Sequence, residues 1–168
     1  YADPPWKYRD NLGFGRFELV GATSHYPTMS LEELCLMPVK DMAAPDSVLF
    51  LWATFPLLPD ALEVVKSWGF TYKTAFVWDK LLPTWSNYHR AELELLLIGT
   101  RGRGTPYAEL REHQLWSIKK TYHSRKPEEF RQMIDRLYPV GPRIELFHRG
   151  EPIPGWDTWG NESKKKEG

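Results

Sequence analysis

Continuously apolar segments recur along the chain between more polar ones. Residues 48–53 (VLFLWA) are apolar at every position, and residues 93–99 (LELLLIG) repeat the pattern with one glutamate inside it. Such runs are typical of strands covered on both faces of a sheet. Residues 72–78 form a further predicted strand, and short strands are expected at 114–118 and 143–147. The chain is therefore expected to build a sheet flanked by helices.

Three segments outside these strands have helical character. Ser30 and Glu33 have the reciprocal spacing of a capping box and predict a short helix. A second helix is predicted over 59–68, where it ends before Gly69, and a third over 126–137, with a proline in its first turn. The apolar stripe of the third helix consists of Phe130, Met133, Ile134 and Leu137.

Strands that alternate with helices predict an α/β fold, with an open, twisted, mostly parallel sheet and helices on both of its faces. In such sheets ligands bind outside the carboxyl ends of the strands. Tyr1 and Ala2 are interpreted as the last part of a strand, whose beginning is expected upstream because the chain does not start with Met. Asp3 and Arg149 then each follow a strand, where functional side chains are expected.

The composition is that of a compact domain with a substantial core. The chain has 168 residues, of which 42% are hydrophobic. It contains 22 Lys and Arg residues and 22 Asp and Glu residues, so any contact with nucleic acid must come from a local basic face. Cys35 is the single cysteine, which excludes an internal disulfide, and no apolar run is long enough to cross a bilayer. A cytoplasmic protein without a membrane partner is expected.

Residues 1–6 supply chemistry suited to an amino nitrogen. The exocyclic amino group of adenine is a poor nucleophile, because its lone pair is delocalised into the ring. The Asp3 carboxylate and the Pro4 carbonyl, with both of its lone pairs expected to be available, can accept from the two N–H groups. Pro4 and Pro5 stiffen the backbone, and Trp6 offers a face for an unstacked base. The structural alternative is a Pro-Pro turn with a tryptophan packed on it.

Several motifs in order resemble the N6-adenine methyltransferase family. They are Asp3-Pro4-Pro5-Trp6, residues 94–99 (ELLLIG), residues 123–127 (HSRKP), residues 144–149 (IELFHR) and residues 155–162 (GWDTWGNE). The family contains the catalytic subunit of the eukaryotic messenger-RNA adenosine methyltransferase and many bacterial and phage relatives that modify DNA. The resemblance extends from Tyr1 to about Glu162 and favours a bacterial or phage type of member.

This resemblance implies a Rossmann-like methyltransferase fold that uses S-adenosylmethionine, in which the methyl-acceptor motif precedes the cofactor segment. A single methyltransferase domain is expected over 1–162, followed by a flexible charged tail at 163–168. The resemblance assigns the roles of several residues. Asp3, Pro4, Pro5 and Trp6 are the implied catalytic residues, and the implied cofactor contacts are Asp3, Lys126, Arg149, Glu151, Asn161 and Glu162. No metal is expected, and the five histidines are scattered.

The predicted substrate-binding residues are Trp6, His25, Tyr26 and Glu94. Glu94 lies in an apolar strand, and a buried carboxylate needs partners, so it is expected to bond Lys126 or to order the pocket. For Lys126 the alternative is a solvated charge beside a helix start, and for Tyr26 it is a surface position on a loop.

Adenine in DNA is the predicted substrate, and RNA is the alternative. A basic rim for phosphates is predicted from Arg90, Arg101, Arg103, Lys119, Lys120, Arg125 and Lys126. Two further hypotheses stay open, a catalytically silent nucleic-acid-binding subunit and an enzyme that methylates a small molecule or a protein glutamine. A homodimer, or a heterodimer with a related subunit, is also left open.

Overall fold

The computed structural model describes residues 1–7, 27–85, 88–106, 111–120, 126–160 and 162–163. Its helices are α1 (Leu31–Cys35), α2 (Val39–Met42), α3 (Leu58–Ser67) and α4 (Glu128–Leu137), and a short 3-10 helix spans Phe55–Leu57. Its strands are β1 (Ser47–Ala53), β2 (Thr71–Trp85), β3 (Arg90–Arg101), β4 (Leu115–Ser117), β5 (Ile144–Leu146), β6 (Arg149–Gly150), β7 (Asp157–Trp159) and β8 (Glu162–Ser163).

Four strands form the central sheet in the order β1-β3-β2-β4. Ala2 extends this sheet, because it forms parallel bridges to Leu51 in β1 and to Leu146 in β5. The Ala2 N–H donates to the Phe50 carbonyl at 2.8 Å, and the Trp52 N–H donates to the Ala2 carbonyl at 2.9 Å. Strand β5 pairs in parallel with β7. The interpretation of Tyr1 and Ala2 as part of a strand agrees with this pairing.

The sheet is mixed, and β3 departs from the predicted parallel arrangement. It runs antiparallel to β1, with Phe50 opposite Ile98, and antiparallel to β2, with Phe76 opposite Leu96. Strand β2 ends at Trp85 and β3 begins at Arg90. This connection is too short for the helical crossover that a parallel pair requires. The remaining strand pairings, β2 with β4, β5 with β7 and β6 with β8, are parallel.

Alternate residues of β1 face two separate cores. Leu49 and Leu51 belong to a cluster that contains Val64 of α3, whereas Phe50 and Trp52 belong to a second cluster with the apolar stripe of α4. Each such side chain, when fully buried, contributes about 1.5–3 kcal/mol. Helices therefore cover both faces of the sheet, as predicted, and β1 is buried on both sides.

The predicted helices are present with small shifts at their ends. The Ser30 hydroxyl accepts from the Glu33 N–H and the Glu33 carboxylate accepts from the Ser30 N–H, which completes the predicted capping box. Pro127 is the N-cap of α4 and does not lie in its first turn. Helix α2 and strands β6 to β8 were not predicted. Within the described part of the chain, no helix has the length and apolar character needed to span a membrane.

Candidate active site

Three of the predicted site residues lie at one edge of the sheet. Asp3 follows Ala2, which pairs in parallel with β1 and β5, so Asp3 lies at the carboxyl end of both strands. Glu94 lies near the start of β3, and the antiparallel direction of β3 places that start at the same edge. Lys126 lies just before α4. Three segments that are distant in the sequence therefore meet at this edge.

Lys126 connects the two carboxylates. Its Nζ lies 2.6 Å from Glu94 Oε1 and 3.2 Å from Asp3 Oδ1, and it also lies 5.2 Å from the centre of the Trp52 ring. The side chains of Lys126 and Glu94 are only 15% and 11% exposed, and that of Asp3 is 30% exposed. The expectation that Glu94 bonds Lys126 is confirmed, and the alternative of a solvated Lys126 is wrong.

The charges of this group are mutually dependent. Burial raises the pKa of Asp3 and the negative charge of Glu94 adds to the effect, while Lys126 and Arg149 act in the opposite direction; the net shift is upward. Burial lowers the pKa of Lys126, but Asp3 and Glu94 outweigh burial and raise it above its ordinary value. Lys126 therefore remains a cation between the two carboxylates.

Hydrogen bonds hold the segment after Asp3 in a defined turn. The Trp6 N–H donates to the Pro4 carbonyl at 2.9 Å, and the Met29 N–H donates to the Pro5 carbonyl at 2.8 Å. The expectation that both lone pairs of the Pro4 carbonyl stay available is therefore wrong, because the backbone folds back on it within two residues. One lone pair remains to accept from a substrate.

Trp6 is held in place at both its backbone and its side chain. Its indole Nε1 donates to the Trp52 carbonyl at 3.1 Å, and its half-buried ring packs against the core cluster that contains Leu51. The Trp6 backbone also forms a bridge to Met29. A role in packing is thus established for Trp6, and its contact with a base stays a prediction.

The predicted cofactor segment lies beside Asp3. Strand β6 pairs in parallel with β8, with Arg149 opposite Glu162. Arg149 is exposed, and its charge acts on the pKa of Asp3. Glu151 follows β6 and is also exposed. The predicted site residues His25, Tyr26 and Asn161 lie outside the described residues.

Sequence reasoning missed a buried network below this segment. Glu145 Oε2 lies 3.0 Å from Arg131 Nε, and Glu145 Oε1 lies 3.2 Å from His148 Nδ1. The other ring nitrogen of His148 lies 2.8 Å from the Glu151 carbonyl. A glutamate inside the apolar segment 144–147 was the available signal, since the same pattern pointed to Glu94. This network ties the backbone of Glu151 to the end of β5.

Gly160 allows its own backbone to lie close to the backbone of His148. A Cβ at this position would lie 2.3 Å from the His148 carbonyl oxygen, so any larger residue would force the two segments apart. The His148 N–H donates to the Trp159 carbonyl at 3.0 Å. Trp159 packs edge-on against Phe147, while Trp156 is buried and donates to Asp135 at 3.1 Å. Trp156 is thus a core residue.

The described residues contain no group of three or more His, Cys, Asp and Glu side chains that could hold a metal ion. The polar atoms that converge at the edge of the sheet are instead one lysine between two carboxylates, with a guanidinium nearby. Such a set can bind an organic molecule that carries both charges.

The sequence profile of the MT-A70 family matches residues 1–162, from the strand before Asp3 to β8. The chain belongs to the MT-A70 family. The predicted membership of the N6-adenine methyltransferase family is confirmed, and this MT-A70 chain is a methyltransferase enzyme.

Three relatives show how far the similarity extends. Type II methyltransferase M.MunI from Mycoplasma sp is 37% identical over 177 residues, which cover 96% of this MT-A70 chain and 76% of M.MunI. Human METTL3, an N(6)-adenosine-methyltransferase catalytic subunit, is 27% identical over 96% of the chain and 27% of its own length. Human METTL4, an N(6)-adenine-specific methyltransferase, is 28% identical over 97% of the chain and 36% of its own length. The chain spans only a minor part of the two human proteins.

Proposed function

We propose that this enzyme transfers a methyl group from S-adenosylmethionine to the N6 amino group of adenine in DNA. The observation that carries the proposal is the position of Asp3, a partly buried carboxylate at the carboxyl edge of the sheet beside Lys126 and Arg149. Of the three relatives described above, M.MunI is matched over the largest share of its own length and at the highest identity. DNA is favoured on this similarity. RNA remains the second candidate, on the weaker similarity to METTL3.

Asp3 and Pro4 are proposed to hold the amino group. Asp3 Oδ1 faces Lys126, and the second carboxylate oxygen can accept from one N–H of the amino group. The remaining lone pair of the Pro4 carbonyl can accept from the other. The turn closed by the bond from Trp6 to Pro4 fixes this carbonyl, so little reorganisation is needed during reaction. Burial raises the pKa of Asp3, which also makes it a better acceptor for the proton that must leave.

The donor set at this edge fits S-adenosylmethionine. Lys126 has three N–H donors and uses two on Glu94 and Asp3, so one remains for a carboxylate of the amino-acid part. Asp3 can accept from an ammonium group, and Arg149 offers a planar set of donors to ribose hydroxyls. When bound, this cofactor supplies a methyl group made electrophilic by a sulfonium. Glu151, Asn161 and Glu162 stay predicted contacts.

Transfer of a labelled methyl group from S-adenosylmethionine tests the proposed function. Matched DNA and RNA oligonucleotides, single and double stranded, are compared with adenine-free controls of the same length. Adenine-dependent labelling of DNA is expected. Labelling of RNA alone would replace DNA by RNA as the substrate, and labelling of free nucleosides or peptides without any polynucleotide would contradict the proposal.

Glu94→Gln is expected to move the acid limb of the transfer rate to lower pH. The pKa of Asp3 is raised by burial and further by the charge of Glu94. As pH falls, Asp3 therefore becomes protonated at a higher pH than an ordinary aspartate. Removing the charge of Glu94 lowers the pKa of Asp3, and the ionised form then persists to lower pH. The pH profile of kcat is compared with that of Glu63→Gln, an exposed residue of α3. An unchanged or raised acid limb would contradict this coupling.

Trp6→Ala is expected to weaken substrate binding more than Trp6→Phe. Stacking of a base on an aromatic ring contributes about 1–3 kcal/mol, and phenylalanine keeps a face for the base while it loses the indole bond to Trp52. The two variants therefore separate stacking from hydrogen bonding. KM for an oligonucleotide and the melting temperature are measured for both. Equal KM values for the wild type and Trp6→Ala would leave Trp6 with a packing role alone.

A further inference from the structure

Lys80 is a buried lysine that the basic rim predicted from the sequence did not include. It lies on β2 and is only 9% exposed, which is unusual for a lysine. Within the part of the chain that the structure describes, no group forms a hydrogen bond or an ion pair with its ammonium. Lys126, in contrast, lies between two carboxylates. Burial partly desolvates the ammonium of Lys80, which costs free energy that no such partner offsets in the protein alone.

The charges of active-site residues act on Lys80. Trp78 lies directly opposite Glu94 in the antiparallel pair of β2 and β3, so both side chains point to the same face. The regular register of β2 with β3 extends to Asp79, and Lys80 follows directly; like Trp78 it is buried, and the charges of Glu94 and Lys126 act on its pKa. The Lys80 carbonyl accepts from the Lys120 N–H at 3.0 Å, which brings the segment after β4 alongside. Lys80 therefore neighbours the carboxylate that holds Lys126.

The charges that act on Lys80 are one carboxylate, Glu94, and two cations, Lys120 and Lys126, although the whole chain has no net charge. Burial lowers the pKa of Lys80. The negative charge of Glu94 opposes this effect, and the positive charges of Lys120 and Lys126 add to it. Since Lys126 already neutralises much of the charge of Glu94, an incoming anion would stabilise the charged form of Lys80.

We propose that Lys80 binds a phosphate of the polynucleotide next to the target adenosine. This inference rests on the proposed function, which brings a phosphodiester to this edge of the sheet. A phosphate supplies the direct ion-pair partner that the described residues do not give to Lys80. A phosphate contact carries no sequence information, so Lys80 positions the strand. Lys80 is thus a substrate-positioning residue beside the site formed by Asp3, Lys126 and Glu94. DNA and RNA share this chemistry.

Lys80→Gln tests the proposal, with Lys73→Gln as the matched control. Lys73 lies on the same strand and is exposed. Loss of a charge-assisted bond is expected to raise the oligonucleotide KM about tenfold or more, while kcat and the dissociation constant of S-adenosylmethionine stay unchanged. The slope of log K against log salt for oligonucleotide binding is expected to fall by about one. Lys73→Gln is expected to show neither effect, and Lys80→Arg is expected to restore binding.

A second measurement identifies the phosphate. Methylphosphonate groups, which are uncharged, replace single phosphates around the target adenine in DNA and in RNA of the same sequence. At one position, the methylphosphonate is expected to weaken binding to the wild type as much as the substitution Lys80→Gln does. The same methylphosphonate is expected to cause no further loss of binding to the Lys80→Gln variant. Additive losses at every position would overturn the proposal. Circular dichroism and melting temperature confirm that each variant is folded.

Binding and transfer together separate this inference from the proposed function. If the wild type binds an oligonucleotide through Lys80 but methylates none, the phosphate contact stands and the proposed function fails. If the wild type methylates DNA and Lys80→Gln keeps the same salt slope and KM, the phosphate contact is wrong and the proposed function stands. A loss of S-adenosylmethionine affinity in Lys80→Gln would assign Lys80 to the cofactor and overturn the proposal.

Discussion

Asp3→Ala is expected to lower the rate of methyl transfer by about 100- to 1,000-fold or more, the effect of removing one preorganised partner of a reacting group. Asp3 is the carboxylate at the end of the strand formed by Ala2, and no other carboxylate of the described residues both follows that strand and contacts Lys126. Without it, the amino group keeps its planar geometry and remains a poor nucleophile. Single-turnover transfer of a labelled methyl group measures the loss.

Asp3→Asn and Asp41→Ala complete this experiment. Asparagine keeps the size of the side chain but turns one acceptor into a donor, so it is expected to be nearly as inactive as alanine. Asp41 is an exposed residue of α2 and its removal is expected to leave the rate unchanged. Binding of S-adenosylmethionine is measured in parallel by calorimetry. If Asp3→Ala retains more than a small fraction of the rate, Asp3 has no direct part in the reaction.

Lys126→Met is expected to abolish transfer and to destabilise the protein by about 3 kcal/mol, the low end for a broken buried ion pair. Lys126 is the cation that Asp3 and Glu94 share, at 3.2 and 2.6 Å. Methionine fills a similar volume but leaves the two carboxylates facing each other without a counter-charge. Urea unfolding measures the stability, and calorimetry measures the affinity for S-adenosylmethionine, which is expected to fall as well.

The loss of stability in Lys126→Met is expected to depend on pH and on the charge of Glu94. Protonation of either carboxylate ends their repulsion, so the loss of stability is expected to shrink as pH falls. Glu94→Gln in the same chain removes one of the two charges and is expected to recover part of the stability, which makes the two substitutions non-additive. Lys66→Met, at an exposed position of α3, is the control. Additive effects of Lys126→Met and Glu94→Gln would show that the two residues act independently.

Several features followed from the sequence because they depend on neighbours close in the chain. The capping box of Ser30 and Glu33 involves residues one helical turn apart. The two-sided apolar run in β1 predicted burial on both faces, since alternate side chains of a strand point in opposite directions. The family was also recognisable from short motifs. The need of a buried carboxylate for a partner predicted that Glu94 bonds Lys126 or orders the pocket, and the structure shows the bond to Lys126.

Other features were decided by the tertiary structure alone. The apolar pattern of β3 is the same in either strand direction, and the short connection after β2 selects the antiparallel one. One lone pair of Pro4 is occupied because the chain folds back through Trp6. Lys80 has no feature in the sequence that separates it from a surface lysine, and only the folded structure shows that it is buried. The sequence determined the longer helices and strands and the chemistry that the chain carries. The packing of distant segments decided which charges meet, because electrostatic interactions depend on distance and burial in space and not on separation along the chain.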